Sequence, residues 1–224
     1  MTIDKLWEGI FNYDTYVKGG EYSASDITGD ILAVKLRKLH PNHKEMKYED
    51  KISAYMGTSI HDRIEKWIES ENAFGETNME SEVRLKYKNL SGTCDLILDG
   101  KTIVDYKTGK EDNIKKKIKD SSDWITQLSI YRYLANKTGY KIETKAYIAW
   151  LCVDNNKHGI HEIELLSEKE TIAVIKEFMT EISKEPKDLP KCNLCIQFKH
   201  RWCNQKANCP YWVIDKDFSS IEEW

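Results

Sequence analysis

The chain has 224 residues, 40% hydrophobic and 32% charged, with a formal net charge of −3. That length suits one large domain, or one domain with an appendage, around a globular core. No apolar run approaches the ~20 residues of a membrane-spanning helix, and the small net charge excludes a global polyanion binder, so any nucleic-acid contact must come from a local basic patch.

Taken in chain order, SASDITGDILAVKLRKLH opens with Ser and Asp cap candidates, and Ile27, Ile31, Val34 and Leu39 follow a helical rhythm. YMGTSIHDRIEKWIES predicts a helix near 54–71 with Met56, Ile60, Ile64, Trp67 and Ile68 on its apolar stripe and His61 beside it. SEVRLKYKN alternates Val83, Leu85 and Tyr87 with charges and reads as a half-buried strand; Glu82 in it reads as an exposed strand charge that is able to join a site. A hairpin follows over GTCDLILDGKTIVDYKTG, Gly92 to Gly109. DWITQLSIYRYLANK is a helix with Trp124, Leu128, Tyr131 and Leu134 on one side. TKAYIAWLCVD and GIHEIELL are two further strands. SEKETIAVIKEFMTEISKE is a helix opened by a capping box of Ser167 and Glu170, and Pro186 and Pro190 then break the pattern. The order of helices, three strands, helix, two strands and helix predicts an α/β fold with a central mixed sheet flanked by helices.

The hairpin carries acids where a buried sheet would carry valine and isoleucine. Asp105 and Lys107 are two apart and share a face. A two-residue Asp99-Gly100 loop would pair Leu98 with Lys101 and turn Asp95 away from Asp105. A three-residue loop such as Leu98-Asp99-Gly100, with Gly100 at positive φ, or a bulge, would put Asp95 on the face of Asp105 and Lys107. Neighbouring carboxylates repel unless something positive lies between them, and Mg²⁺ or Mn²⁺ is the oxygen-seeking choice at a phosphodiester. The plainer alternative is a row of solvated charges on an edge hairpin.

The pattern around the hairpin resembles the PD-(D/E)XK nuclease superfamily, its RecB-like branch in particular. The matching stretches are GTSIHDRIE (Gly57, His61, Glu65), Gly92 to Asp95, Val104 to Thr108, and Gln127 with Tyr131, together with YSASDI near the start. The resemblance implies a restriction-endonuclease-like core with the metal held by His61, Asp95, Asp105 and the Tyr106 carbonyl. It implies Lys107 as the catalytic lysine, acting with Asp95 and Asp105, and Gln127 and Tyr131 beside the active site on the nucleic-acid strand. Glu65, four residues after His61, is placed to orient the imidazole. Read singly, His61 is as readily structural and Tyr131 as readily core. The implied activity is a divalent-metal-dependent deoxyribonuclease, an exonuclease acting on single-stranded or duplex DNA ends in phage or CRISPR-type DNA processing or recombination, with a recombination or CRISPR protein as partner. The alternatives are a structure-specific endonuclease on the same fold, or a non-catalytic nucleic-acid-binding or assembly module.

The C-terminal CNLCIQFKHRWCNQKANC gathers Cys192, Cys195, Cys203 and Cys209. The opening residues carry acids and no long apolar stretch and do not read as a signal peptide, so clustered thiols read as metal ligands in a cytoplasmic protein. The spacing accepts Zn²⁺, with His200 able to replace one thiolate, and the family resemblance implies a [4Fe-4S] cluster; free thiols are the alternative. In that family branch one cluster cysteine typically precedes the nuclease motifs, whereas here all four candidates follow them. The expected domains are a nuclease domain over 1–185, including the N-terminal helical part, and a cysteine-rich segment over 186–224 packed on it. Lys199, His200, Arg201 and Lys206 offer phosphate contacts, and Trp202, Tyr211 and Trp212 read either as base-stacking platforms or as the module's core. The basic run at 115–119, KKKIK, reads either as a guide for a phosphate backbone or as a solvated loop.

Overall fold

The computed structural model describes residues 20–40, 52–72, 78–192 and 209–210. In chain order it contains β1 (Tyr22–Ser23), α1 (Ala24–Ile27), α2 (Ile31–Leu39), α3 (Ile52–Asn72), β2 (Met79–Tyr87), β3 (Leu90–Leu98), β4 (Thr102–Gly109), α4 (Glu111–Lys119), α5 (Ser122–Lys137), β5 (Lys145–Cys152), β6 (His158–Glu164) and α6 (Glu168–Ile182). The six strands form one mixed sheet with helices against it. Two elements go beyond the sequence reading. β1 is two residues long, too short to carry a period. α4 occupies the lysine run that read as loop, anchored by buried Ile114 and half-buried Ile118 one turn apart, with Glu111 and Asp112 at its N-terminus and lysines at its C-terminus to suit the helix dipole.

Short-range chemistry explains several boundaries. Ser23 and Asp26 form a reciprocal capping box on α1, the Ser23 hydroxyl accepting from the Asp26 N–H and the Asp26 carboxylate from the Ser23 N–H. The predicted box at Ser167 and Glu170 opens α6 in the same way. The α3 stripe divides. Ile68 is buried and Ile64 half-buried, but Met56 and Trp67 are exposed. Residues 56 and 67 are eleven apart, about three full turns, so they share an azimuth that lies some 100° from Ile68.

The chain divides into two compact units, Met1–Thr28 with Lys47–Lys176, and Gly29–Met46 with Glu177–Trp224. The first holds the sheet. In the second, Leu32 and Leu36 of α2 bury against Leu189 and Cys192, and Cys209 packs on the same cluster. There Lys35 Nζ donates to the Ile182 carbonyl at 2.9 Å, closing the C-terminus of α6. Helix α2 therefore groups with the C-terminal chain, where the sequence reading placed it with residues 1–185. Cys195, Cys203, His200 and the basic and aromatic residues around them lie outside the described residues.

The sheet positions the candidate site through an uneven edge. β2 pairs antiparallel with β3 along its whole length, from Tyr87 opposite Leu90 to Met79 opposite Leu98. The other edge of β3 is shared: β1 takes Leu90 and Ser91 in parallel, and β4 takes Leu96 to Leu98 antiparallel. Gly92 to Asp95 lie between these two pairings, so β3 and β4 part at Asp95. β4 then runs parallel to β5, with Asp105 opposite Ile148, and β6 closes the far edge.

Candidate active site at the β3–β4 fork

The register of the hairpin decides which acids meet. Leu98 pairs with Thr102, so the loop holds three residues, Asp99, Gly100 and Lys101. Asp99 (φ 49°) and Gly100 (φ 65°) both take left-handed backbone, and the Lys101 N–H donates to the Leu98 carbonyl at 2.9 Å. Lys101 is the extra residue, one position later than the loop Leu98-Asp99-Gly100 that the sequence suggested. The odd count has the required effect, because the same register continued into the fork sets Asp95 across from Asp105. There the strands no longer bond backbone to backbone. The Asp95 carboxylate enters the gap, and its Oδ2 accepts the Tyr106 N–H at 2.7 Å. A backbone donor freed by the fork is thereby satisfied, and the carboxylate is locked in orientation.

Helix α3 delivers His61 by running antiparallel past β4. A Cβ on Gly57 would lie 3.3 Å from Thr108 Oγ1, the His61 ring meets Tyr106 edge-on at 5.5 Å, and Ile64 and Ile68 pack with Val104. One helical turn, ~5.4 Å, nearly matches two strand residues, so each turn of α3 meets an alternate residue of β4. His61 Nδ1 lies 3.9 Å from Asp95 Oδ1 and 3.7 Å from Glu82 Oε1. One ligand atom from each of His61, Glu82 and Asp95 falls within 4.8 Å of the others.

Glu82 is the member that alternation did not bring in. It stands across from Asp95 in the β2–β3 register, between the pairs Ser81–Leu96 and Val83–Cys94. Its φ is +48°, whereas the other non-glycine residues with positive φ among the described residues, Lys88, Asp99 and Asn156, lie in connections between strands. A left-handed glutamate inside a strand costs on the order of 1 kcal/mol or more and turns the side chain out of the period-2 pattern. Sequence offered no signal for that turn.

Asp105 is 2% exposed. Lys107 Nζ lies 2.6 Å from its Oδ2, close enough for a strong ion pair but without hydrogen-bond alignment, and Oδ2 accepts no hydrogen bond. Three carboxylates, Glu82, Asp95 and Asp105, thus face one lysine and one imidazole, and the electrostatics register the excess of negative charge. Burial, then Asp105, pushes the Asp95 carboxyl up to about 7, against the restraining effects of His61, the Tyr106 N–H and Lys107. The Glu82 carboxylate, more than any other neighbour, raises the His61 imidazole above its ordinary value; burial opposes this, and Asp95 and Asp105 add to it. Burial and then Asp95 raise the Tyr106 phenol.

The other expected site residues fall into place unevenly. Gln127 Nε2 donates to Tyr131 Oη at 3.0 Å, the one-turn pairing expected on α5. Tyr131 is buried, and burial followed by Asp105 raises its phenol. A Cβ on Gly92 would lie 2.6 Å from Tyr131 Cε1, so glycine at 92 admits the tyrosine ring against the stretch of β3 that is paired on its β2 side alone. Glu65 makes no hydrogen bond to His61; the carboxylates beside the imidazole are Glu82 and Asp95. On α4, Lys115 pairs with Glu111 at 2.7 Å and Lys117 pairs with Asp123, which neutralises half of the basic run. Cys192 and Cys209 are the two members of the cysteine group among the described residues, and both border the same apolar cluster. Among the described residues no helix is long and apolar enough to cross a membrane.

The donor set of carboxylates, one imidazole and a neighbouring backbone carbonyl suits a hard divalent cation. The buried Asp105 Oδ2 that accepts no hydrogen bond is an acceptor such a cation would satisfy.

The sequence places this fold in a family: the chain belongs to the PD-(D/E)XK nuclease superfamily, whose family profile matches residues 10–214. Among solved structures, that of SSO0001 is similar with a TM-score of 0.62 at 17% identity, covering 95% of this chain and 98% of that one. The likeness is one of fold. An alkaline exonuclease (LHK-Exo) from Laribacter hongkongensis gives 0.46 at 13% identity over 72% of this chain and 89% of that one. A phage related exonuclease from Haemophilus somnus 129PT gives 0.37 at 15% identity over 55% and 67%. No curated protein matches the chain.

Proposed function

We propose that this chain is a divalent-metal-dependent deoxyribonuclease of the RecB-like branch, an exonuclease that hydrolyses phosphodiester bonds from DNA ends. The observation that carries the reading is the fork itself: the Asp95 carboxylate fixed by the Tyr106 N–H, facing His61, with buried Asp105 and Lys107 on the next strand. In this reading His61, Asp95, Asp105 and the Tyr106 carbonyl hold Mg²⁺ or Mn²⁺. When bound, such a cation supplies Lewis acidity toward the phosphate and lowers the pKa of a water molecule.

The chain's own residues do the rest. Asp95 and Asp105 are fixed by a hydrogen bond and by burial, so little reorganisation is needed as charge develops. Lys107 Nζ, held at Asp105, is a compact donor able to orient the attacking water and to stabilise negative charge on the phosphoryl oxygens. Gln127 and Tyr131 line the approach of the strand, the buried phenol fixing the amide. The four C-terminal thiols are assigned in the same reading to a structural [4Fe-4S] cluster or Zn²⁺ in a cytoplasmic protein, and a visible spectrum separates a brown iron–sulfur protein from a colourless zinc protein. A recombination or CRISPR protein is the partner class this reading favours.

The test is incubation of the purified protein with end-labelled linear DNA and with closed circular DNA, with Mn²⁺ present or withheld. Metal-dependent loss of nucleotides from linear DNA, with circles intact, supports the exonuclease. Cutting of circles favours a structure-specific endonuclease, and no cleavage of either favours a binding module. Asp105→Ala and Lys107→Ala are expected to abolish cleavage while preserving the circular-dichroism spectrum. Full activity in either variant overturns the assignment.

A further inference from the structure

We propose that Glu82 is itself a ligand of the active-site cation, contributed by β2 in addition to the ligands on α3, β3 and β4; the inference rests on the metal-dependent reading above and extends it. Three observations lead there. The Glu82 carboxylate lies within 4.8 Å of donor atoms of both His61 and Asp95. Its position across from Asp95, in left-handed backbone inside an otherwise regular strand, aims that carboxylate at the fork. The His61 imidazole lies beside it, Nδ1 3.7 Å from Oε1, so the carboxylate borders the same gap as the imidazole and Asp95. Independently, the buried Asp105 Oδ2 accepts no hydrogen bond although Lys107 Nζ lies 2.6 Å from it, and three carboxylates at the fork face one lysine and one imidazole.

The rival role for Glu82 is indirect: holding the imidazole in place without touching the ion. The two roles separate in a double-mutant cycle. Mn²⁺ binding is measured on the full-length, metal-stripped protein by the electron paramagnetic resonance signal of free Mn²⁺, at a pH above the imidazole range. The variants are Glu82→Gln, His61→Ala, the two combined, and Asp95→Asn. Glu82→Asn, which tolerates positive φ better, serves if the glutamine variant misfolds. A ligand role predicts about a tenfold or greater loss of affinity for Glu82→Gln. It also predicts a loss of similar factor in the His61→Ala background.

Affinity unchanged by Glu82→Gln, or a loss that disappears once His61 is gone, overturns the proposal. If Asp95→Asn abolishes Mn²⁺ binding while Glu82→Gln retains it, only the role of Glu82 falls. If the unmodified protein binds no Mn²⁺, the metal-dependent reading falls with it.

Discussion

Replacing Asp95 by asparagine should stabilise the metal-free protein while removing its response to metal. Asparagine keeps the shape of the side chain and an oxygen to accept the Tyr106 N–H, but it carries no charge. The Asp95 carboxyl stands at about 7 in the fold against 3.8 for the free side chain, raised by burial and by Asp105. Between those values the folded state holds a proton that the unfolded state has released. Stability is therefore highest below the unfolded value, falls as pH rises toward 7, and stays low above it. A gap of roughly three pH units is worth at most ~4 kcal/mol, and the coupling to Asp105 makes ~1–4 kcal/mol the working range. For a chain of this size that is a rise of roughly 2–16 °C in melting temperature. The assay is thermal unfolding in EDTA across a pH series, then again with Mn²⁺. The variant should gain over the parent progressively from about pH 4 to 7, and only the parent should be stabilised by Mn²⁺. An asparagine variant no more stable at neutral pH, or one stabilised equally by Mn²⁺, would refute the reasoning.

Two further outcomes are expected. Cation binding near neutral pH should release protons, because both His61 and Asp95 are raised and each must be deprotonated to act as a ligand; affinity should climb with pH, and titration in buffers of different ionisation enthalpy reads the proton count directly. Gly92→Ala should destabilise by about 1–3 kcal/mol, because the new methyl meets Tyr131 Cε1 at 2.6 Å. Tyr131→Leu in the same chain should recover part of that loss in urea unfolding, and strict additivity of the two changes would disprove the contact.

Legibility in the sequence followed the strength of the local signal. The capping box at Ser167, the α5 helix and the hairpin run all carry periodicity or turn chemistry strong enough to place them. The hairpin register was open, because Asp99-Gly100 serves a two-residue loop as readily as a longer one; the choice rests on Lys101 leaving the ladder, which pairing with the rest of the sheet decides. Strand β1 has two residues and no pattern to read. Helix α4 hid behind its lysines, since Ile114 and Ile118 are its only apolar anchors. Glu82 was read as a surface charge because alternation with Val83, Leu85 and Tyr87 put it outside; a single left-handed residue reversed that, and no residue type in the stretch announced it. The α3 stripe failed at Met56 and Trp67 because they share an azimuth some 100° away from buried Ile68, a separation that helical-looking spacing alone does not reveal.

The most direct measurement of the central claim is the anomalous scattering of Mn²⁺ in crystals grown with the metal. The account predicts a peak at the fork, within coordination distance of His61, Asp95 and Asp105. A fully loaded crystal with Mn²⁺ elsewhere and no density between those three side chains would contradict it.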